Sequence, residues 1–330
     1  METINRMYAS FNVPQRFYGL IAAITLGQFI IRGLLYPAES NDGAEQLLFS
    51  QVFFLGYDIV NPPLYTWLVI AFQKLFGVKN VIVSLIKFLA YGLSFHFLYV
   101  LACRTIEDKR LSVLAALSPL WLYYMAWDAV LSYTHTILAT MFILASIDAL
   151  LRLRDKVDVL SHIVFGVVVG LGFISKYTFA FAALSIFVSG LICQPYRGVI
   201  MRPLMLVSLA VAVLIVAPHS YWLIENSGEI GSAVASKFEV REIDVGFLAN
   251  HLGGLKSAAA SLFGFISPLW LILLVVFWRP LQERLKQNAT LSPPARFLII
   301  YIFVSIALLF ASCNTDEDAN RNSELVSSKW

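Results

Sequence analysis

Long apolar runs separated by short polar stretches dominate the chain from residue 17 onward. Runs that approach the length needed to cross about 30 Å of hydrocarbon predict nine transmembrane helices, at residues 17–36, 81–103, 111–125, 136–151, 161–174, 179–193, 204–223, 258–278 and 297–311. A further apolar segment at residues 64–76 is shorter and fits a re-entrant or interfacial helix. The pattern therefore predicts an all-α polytopic membrane protein with about nine to ten transmembrane helices.

The composition supports this fold class. Hydrophobic residues make up 59% of the chain and charged residues only 14%, whereas roughly 25% of residues are charged in soluble proteins. Too few polar side chains remain to cover a water-facing surface, which excludes a soluble globular domain. The net charge of +3 is small, and we expect membrane lipids, and no nucleic acid, as partners.

The distribution of lysine and arginine orients the predicted spans, because cytoplasmic loops carry an excess of both. If residues 64–76 do not cross the membrane, most lysine and arginine residues fall on one side of it. If residues 64–76 do cross, this bias largely disappears. We therefore expect a cytoplasmic N-terminus and a first external loop at residues 37–80 with interfacial helices. The external side then holds ten carboxylates: Glu39, Asp42, Glu45, Asp58, Asp128, Glu225, Glu229, Glu239, Glu242 and Asp244.

The chain ends in a polar stretch after the last predicted span. We expect one transmembrane domain over residues 1–312 and a disordered tail over residues 313–330. The abrupt change to polar residues also fits a truncated chain.

An acidic segment begins the first external loop. Glu39, Asp42 and Glu45 are three residues apart, so they would share one face of a helix, and the apolar residues that follow would hold this helix at the membrane surface. In the alternative interpretation, Asp42 is only an N-cap and Glu45 closes a capping box. Pro62 and Pro63 stop any preceding helix and can turn the chain back into the membrane.

A second acidic segment opens the fourth predicted span on its external side. Asp128, Ser132 and His135 have the spacing of one helix face, and we expect this face to complete the same site. Asp42, Asp128 and His135 are also candidate ligands for a divalent metal ion, although the sequence requires none. Alternatively, Asp128 is a helix cap and His135 is a hydrogen-bonded histidine at the membrane entry.

Charged side chains also occur within or next to the apolar runs. Lys176 lies where the fifth predicted span reaches the outer face, and such a residue is a functional candidate by default. Alternatively, its side chain only snorkels to the headgroups. Asp148 is expected to snorkel or to cap a helix near the inner end of its span.

Four short motifs occur in an order that resembles the C-type glycosyltransferases, which use polyprenyl-phosphate sugars. They are the stretch from Asp42 to Gln46, a Gly-Tyr pair, the run Pro62-Pro63-Leu64-Tyr65, and a later Gly-Leu-Gly-Phe-Ile-Ser-Lys-Tyr-Thr that contains Lys176. This superfamily includes protein O-mannosyltransferases, the lipid A aminoarabinose transferase and lipopolysaccharide galacturonosyltransferases. The resemblance extends over most of residues 17–226.

The resemblance implies an active site on the periplasmic side of a bacterial inner membrane. It implies that Asp42 is the general base, that Asp128 approaches it from a second loop, and that Lys176 contacts the phosphate of the donor. Gly43 departs from the family, which often has a second acidic residue there, and this argues against a role that needs two adjacent carboxylates. Supporting residues are expected at Glu45, His135, Pro62, Pro63 and Tyr65.

The expected reaction moves a sugar from a polyprenyl-phosphate donor to a periplasmic acceptor with inversion at the anomeric carbon. Gln46 and the Pro-Pro-Leu-Tyr-Thr-Trp run favour lipid A or lipopolysaccharide as the acceptor, a protein hydroxyl stays open, and the sequence does not identify the sugar. A secondary transporter or lipid flippase is the main alternative, because charges within spans also mark transport pathways. A truncated, inactive transferase is another.

Overall fold

The computed structural model describes residues 14–35, 41–227 and 247–312, the last range with gaps at 268, 272–273, 276–277, 279–281 and 283–290. Within these residues the chain is helical and forms no β-strand. Glu39, the acidic residues Glu229, Glu239, Glu242 and Asp244, and the predicted tail at 313–330 lie outside them. The α-helices are α1 (Pro14–Phe29), α2 (Asn41–Phe49), α3 (Leu64–Phe76), α4 (Val81–Thr105), α5 (Lys109–Leu117), α6 (Ala129–Leu131), α7 (His135–Asp155), α8 (Val159–Phe173), α9 (Phe179–Ile192), α10 (Gln194–Ile200), α11 (Met205–Glu225), α12 (Phe247–Ile266) and α13 (Pro293–Ser312).

Five helical segments of the described residues are long and apolar enough to cross a membrane. They are α1 with the π-helical turn that extends it, α4, α7, α11 and α13, and α9 with α10 forms a sixth candidate that is bent by 113°. These helices confirm the all-α polytopic fold class, although fewer of them meet the length requirement than the nine predicted spans. The helix α8 has 15 residues and is about 22 Å long, which is short of the hydrocarbon thickness.

The predicted span at residues 111–125 is wrong as a continuous helix. Helix α5 ends at Leu117 and is followed by a 3₁₀ turn at Ser118–Trp121 and a π-helical turn at Tyr124–Asp128. Pro119 has no N–H to donate, so it interrupts the helical hydrogen bonds. The apolar length of residues 111–125, on which the prediction was based, gives no sign of this interruption.

Helices α4 and α7 form the centre of the fold, and a buried ion-pair cluster joins their ends. Asp148 of α7 is only 3% exposed, and it accepts hydrogen bonds from Arg104 Nε of α4 at 2.9 Å and Arg152 Nε at 2.6 Å. The expectation that Asp148 snorkels or caps is therefore wrong. A buried carboxylate needs such partners, because an unpaired charge is costly away from water.

Helices α8 and α11 run parallel and pack closely through two glycines. A Cβ atom at Gly166 would overlap the backbone oxygen of Ser208, and one at Gly170 would lie 3.0 Å from Ile215 Cβ. Only glycine allows the two backbones to approach this closely. The pair therefore fixes the position of the turn after α8, which holds Lys176, relative to the far end of α11.

Candidate functional site

Helix α2 presents two of the predicted site carboxylates. Asp42 and Glu45 lie one turn apart, and both are partly exposed, which confirms the helix predicted for the first loop. Asp42 lies within the first turn of α2 and is not the residue that precedes the helix. This position argues against the capping-box interpretation, in which Asp42 is the N-cap. Burial raises the pKa of the Glu45 carboxyl, and the negative charges of Asp58 and Asp42 raise it further. Glu45 therefore lies close enough to Asp58 and to Asp42 to be repelled by both.

A chain of buried hydrogen bonds anchors α2 to the rest of the fold. The Thr66 hydroxyl donates to Gln46 Oε1 at 2.6 Å, and Gln46 Nε2 donates to His135 Nε2 at 3.1 Å. His135 Nδ1 then donates to the backbone oxygen of Ser175 at 3.2 Å. Gln46, Thr66 and His135 are 1%, 2% and 4% exposed. The chain joins α2, α3, α7 and the turn after α8, and it supports the interpretation of His135 as a hydrogen-bonded histidine.

The prolines and tyrosine of the third motif start α3 and connect it to the same turn. Pro63 is the residue before the helix, and the N–H of Leu64 donates to the backbone oxygen of Ile174 at 3.0 Å. A first-turn N–H has no partner within its own helix, so this bond satisfies it. Tyr65 is fully buried, donates its hydroxyl to the backbone oxygen of Val83 at 2.7 Å, and packs against the ring of His135. Pro62 is buried beside them.

Lys176 lies in the turn between α8 and α9, close to α2. Its Nζ donates to the hydroxyl of Thr136 at 2.6 Å. Burial lowers the pKa of the Lys176 amine, and the negative charge of Asp42 acts in the opposite direction. The fold therefore places Lys176 within electrostatic range of Asp42, although the two residues are far apart in the sequence.

Tyr177 follows Lys176 and forms a second hydrogen-bonded link to the first loop. Its hydroxyl donates to His219 Nε2 at 2.9 Å, and His219 Nδ1 donates to the backbone oxygen of Leu55 at 3.0 Å. Gly56, which follows Leu55 in the sequence, lies directly against the ring of Trp222. A Cβ atom at Gly56 would overlap this ring. Nothing in the sequence pointed to His219, because a histidine inside an apolar helix gives no sign of its distant partners.

Asp58 is a further candidate site residue, which the sequence alone placed only on the external side. Its charge acts on Glu45, on His135 and on Tyr177. Burial raises the pKa of Tyr177 to about 12, and the charge of Asp58 contributes to this shift. The phenol therefore stays protonated and can donate to His219. The signal available in the sequence is the position of Asp58 directly after the Gly-Tyr motif.

Asp128 and His135 do not share a helix face, which corrects the prediction made from their spacing. Helix α6 ends at Leu131 and α7 begins at His135, with Ser132, itself exposed, in the break between them. The chain turns here so that the ring of His135 enters the core. Asp128 instead acts on Tyr124, whose hydroxyl interacts with Thr136, the residue that accepts the hydrogen bond from Lys176.

The candidate metal set of Asp42, Asp128 and His135 is not assembled. Both ring nitrogens of His135 are engaged by protein partners. Among the described residues, no group of three or more His, Cys, Asp or Glu side chains is placed to share a metal ion.

Comparisons with known proteins find similarity to glycosyltransferases. The family model for dolichyl-phosphate-mannose-protein mannosyltransferases matches residues 60–222. The lipopolysaccharide core galacturonosyltransferase RgtB of Rhizobium johnstonii is 26% identical over 295 residues, covering 88% of this chain and 59% of the relative. The related enzyme RgtA of the same organism is 30% identical over 210 residues, covering 63% of this chain and 41% of the relative.

A solved structure has a similar fold. The crystal structure of ArnT from Cupriavidus metallidurans bound to undecaprenyl phosphate matches with a TM-score of 0.63 at 15% identity, over 92% of this chain and 57% of that one. This chain thus spans between about two fifths and three fifths of the length of the proteins it matches.

Proposed function

We propose that this chain, as a member of the C-type glycosyltransferase superfamily, transfers a sugar from a polyprenyl-phosphate donor to an acceptor at the outer face of a bacterial inner membrane. The observation that supports this most directly is the electrostatic interaction of Asp42, on α2, with Lys176, in the turn after α8. A lipid-linked substrate is confined to the membrane, so its reaction needs both groups near the boundary between lipid and water.

The Lys176 amine is suited to hold the phosphate of the donor. An ammonium group has three N–H donors, and Thr136 accepts one of them. The structure gives Lys176 no other hydrogen-bond partner among the described residues. Lysine binds phosphate as a point charge, and we assign the remaining donors to the leaving phosphate.

Asp42 is the proposed general base. Its carboxylate takes the proton of the acceptor hydroxyl, and the oxygen attacks the anomeric carbon on the face opposite the phosphate. The bond between this carbon and the phosphate oxygen breaks, and its electron pair leaves with the polyprenyl phosphate. Lys176 stabilises the charge that develops there, and the anomeric configuration inverts.

The other carboxylates have supporting roles in this proposal. Glu45 and Asp58 surround the base, and the raised pKa of Glu45 suits a group that shares a proton with the acceptor. Asp128 reaches the site through Tyr124 and Thr136, so we propose that it orients the side chain of Lys176 and is not a second base.

The two galacturonosyltransferase relatives favour lipopolysaccharide or lipid A as the acceptor and galacturonic acid as the first donor sugar to test. A protein hydroxyl is the second candidate acceptor, because residues 60–222 match the protein mannosyltransferase model. Assays with both acceptors and one labelled donor distinguish them.

Transfer of label from polyprenyl-phosphate galacturonic acid, in membranes that contain the full chain, tests the proposal. We expect Asp42→Asn to abolish transfer while insertion and expression are retained. Glu107→Gln is the matched control, because Glu107 is exposed between α4 and α5 and should transfer like the wild type. Full activity of the Asp42 variant would refute the assigned base. Movement of labelled lipid across the membrane without transfer would instead indicate a flippase.

A further inference from the structure

A cleft separate from the candidate site lies between α8, α9 and α11. Its volume is about 580 Å³, and nearly all of its lining side chains are apolar. Its floor is buried, as at Ile186 and Ala212, and its rim is exposed, as at Leu206 and Leu209. An exposed apolar rim on membrane-spanning helices faces lipid, and the volume is in the range of about 300–1,000 Å³ that is usual for ligand pockets.

One end of the cleft is positively charged. Arg202, in the turn between α10 and α11, is the only charged residue among the described lining residues. Its side chain has no hydrogen bond or ion pair within the described part of the chain. It is exposed, so the guanidinium is available to an anionic group at this end.

The orientation of α10 places Arg202 at the depth of the headgroups. Helix α10 is bent by 113° from α9, so it lies across the end of a membrane-spanning helix. It buries Tyr196, Val199 and Ile200 and exposes Arg197. Its apolar residues pack into the core beside Leu150 and Phe297, which holds α10 against the end of the helix bundle.

The parallel arrangement of α8 and α11 separates Arg202 from the candidate site. Lys176 follows the end of α8, whereas Arg202 precedes the start of α11, so the two cations lie at opposite ends of the helix pair. A lipid with its phosphate at Arg202 therefore belongs to the other leaflet from a donor with its phosphate at Lys176.

We propose that the cleft binds one anionic phospholipid, with an acyl chain along α8 and α11 and the headgroup phosphate at Arg202. The positive charge of Arg202 at the end of the cleft favours an anionic headgroup over a zwitterionic one. This proposal does not depend on sugar transfer.

Native mass spectrometry of the full chain in mild detergent tests it. Phosphatidylglycerol and phosphatidylcholine with identical acyl chains are titrated against the wild type. We expect phosphatidylglycerol to bind more tightly, and Arg202→Gln to bind it about fivefold more weakly with loss of the headgroup preference. Arg197→Gln is the matched control, since Arg197 lies on the neighbouring helix but does not line the cleft, and it should keep most of the preference.

A second variant tests the apolar part of the cleft. Ala183 lines it, and Ala183→Phe should weaken the binding of both phospholipids while the thermal unfolding temperature is retained. If the Ala183 variant unfolds at a lower temperature than the wild type, the phospholipid binding of Arg202→Gln alone tests the proposal. An unchanged headgroup preference in Arg202→Gln would overturn the proposal. So would a folded Ala183 variant that loses undecaprenyl phosphate but keeps phosphatidylglycerol, because the cleft would then hold the tail of the donor.

Discussion

His135 Nδ1 donates a hydrogen bond to the backbone oxygen of Ser175 at 3.2 Å, so the first residue of α7 holds the residue before Lys176. The other ring nitrogen accepts from Gln46 of α2. One buried imidazole thus fixes the distance between the helix that holds Asp42 and the turn that holds Lys176. We expect it to act on catalysis through position.

Replacement of His135 should therefore impair both stability and transfer. His135→Ala leaves the Gln46 amide and the Ser175 oxygen without partners, at a cost of about 1–3 kcal/mol each in the free energy of unfolding. If the imidazole acts by placing Lys176, the double variant with Lys176→Gln should transfer no more slowly than Lys176→Gln alone. His96→Ala, which removes an exposed contact to Tyr18, is the control. If the transfer rate of the double variant falls by the product of the two single-variant losses, a positioning role for His135 is contradicted.

The pH dependence of transfer should report the Lys176 amine. Burial lowers its pKa below the ordinary value, and the charged form is the one that stabilises phosphate, so activity should fall as the pH rises through this lowered pKa. Lys176→Arg keeps its charge at all accessible pH values, and any activity it retains should lack this alkaline decline. The measurement is the initial rate from pH 6 to about 10. An alkaline decline that persists in Lys176→Arg would assign it to another group.

Glu45 should limit stability at neutral pH. Its folded pKa is raised, so the folded state favours the protonated form. Stability is therefore highest below the unfolded pKa and decreases as the pH rises through the raised folded pKa. Glu45→Gln removes this loss, and we expect a higher unfolding temperature than the wild type at pH 7.5 but not at pH 4, where about two thirds of the unfolded carboxyl is already protonated. An equal change at both pH values would point to a packing effect.

The contact between Gly56 and Trp222 should tolerate no side chain. Gly56→Ala forces the first loop away from α11, at a cost of about 1–3 kcal/mol for overpacking, and should weaken the bond between His219 and Leu55. Gly27→Ala is the control, because a Cβ atom there meets no other atom within 4 Å. Thermal unfolding and transfer rates measure both effects. Combining Gly56→Ala with Trp222→Leu should restore part of the loss, and a strictly additive result would argue against the clash.

The sequence predicted the elements that are specified locally. The spacing of Asp42 and Glu45 indicated α2, and Pro62-Pro63 indicated the start of α3, because prolines restrict the backbone wherever they occur. The break before His135 was not predicted. The spacing of Asp128 and His135 places them on one face only if the chain between them is a continuous helix. The partner contacts of the site, such as those of Thr136 and His219, join residues about 40 positions or more apart, and hydropathy contains no information about such pairs.

The two glycines between α8 and α11 determine which sequence changes the protein can accept. In a library of all single substitutions, Gly166 and Gly170 should be depleted of every replacement, including alanine, although neither touches a substrate in the proposed reaction. At Gly166 the nearest atom to a new methyl group is the backbone oxygen of Ser208, which no substitution on the facing helix removes, whereas at Gly170 it is the Cβ atom of Ile215. Paired variation of Gly170 and Ile215 would therefore mark chains in which the Lys176 turn keeps its place.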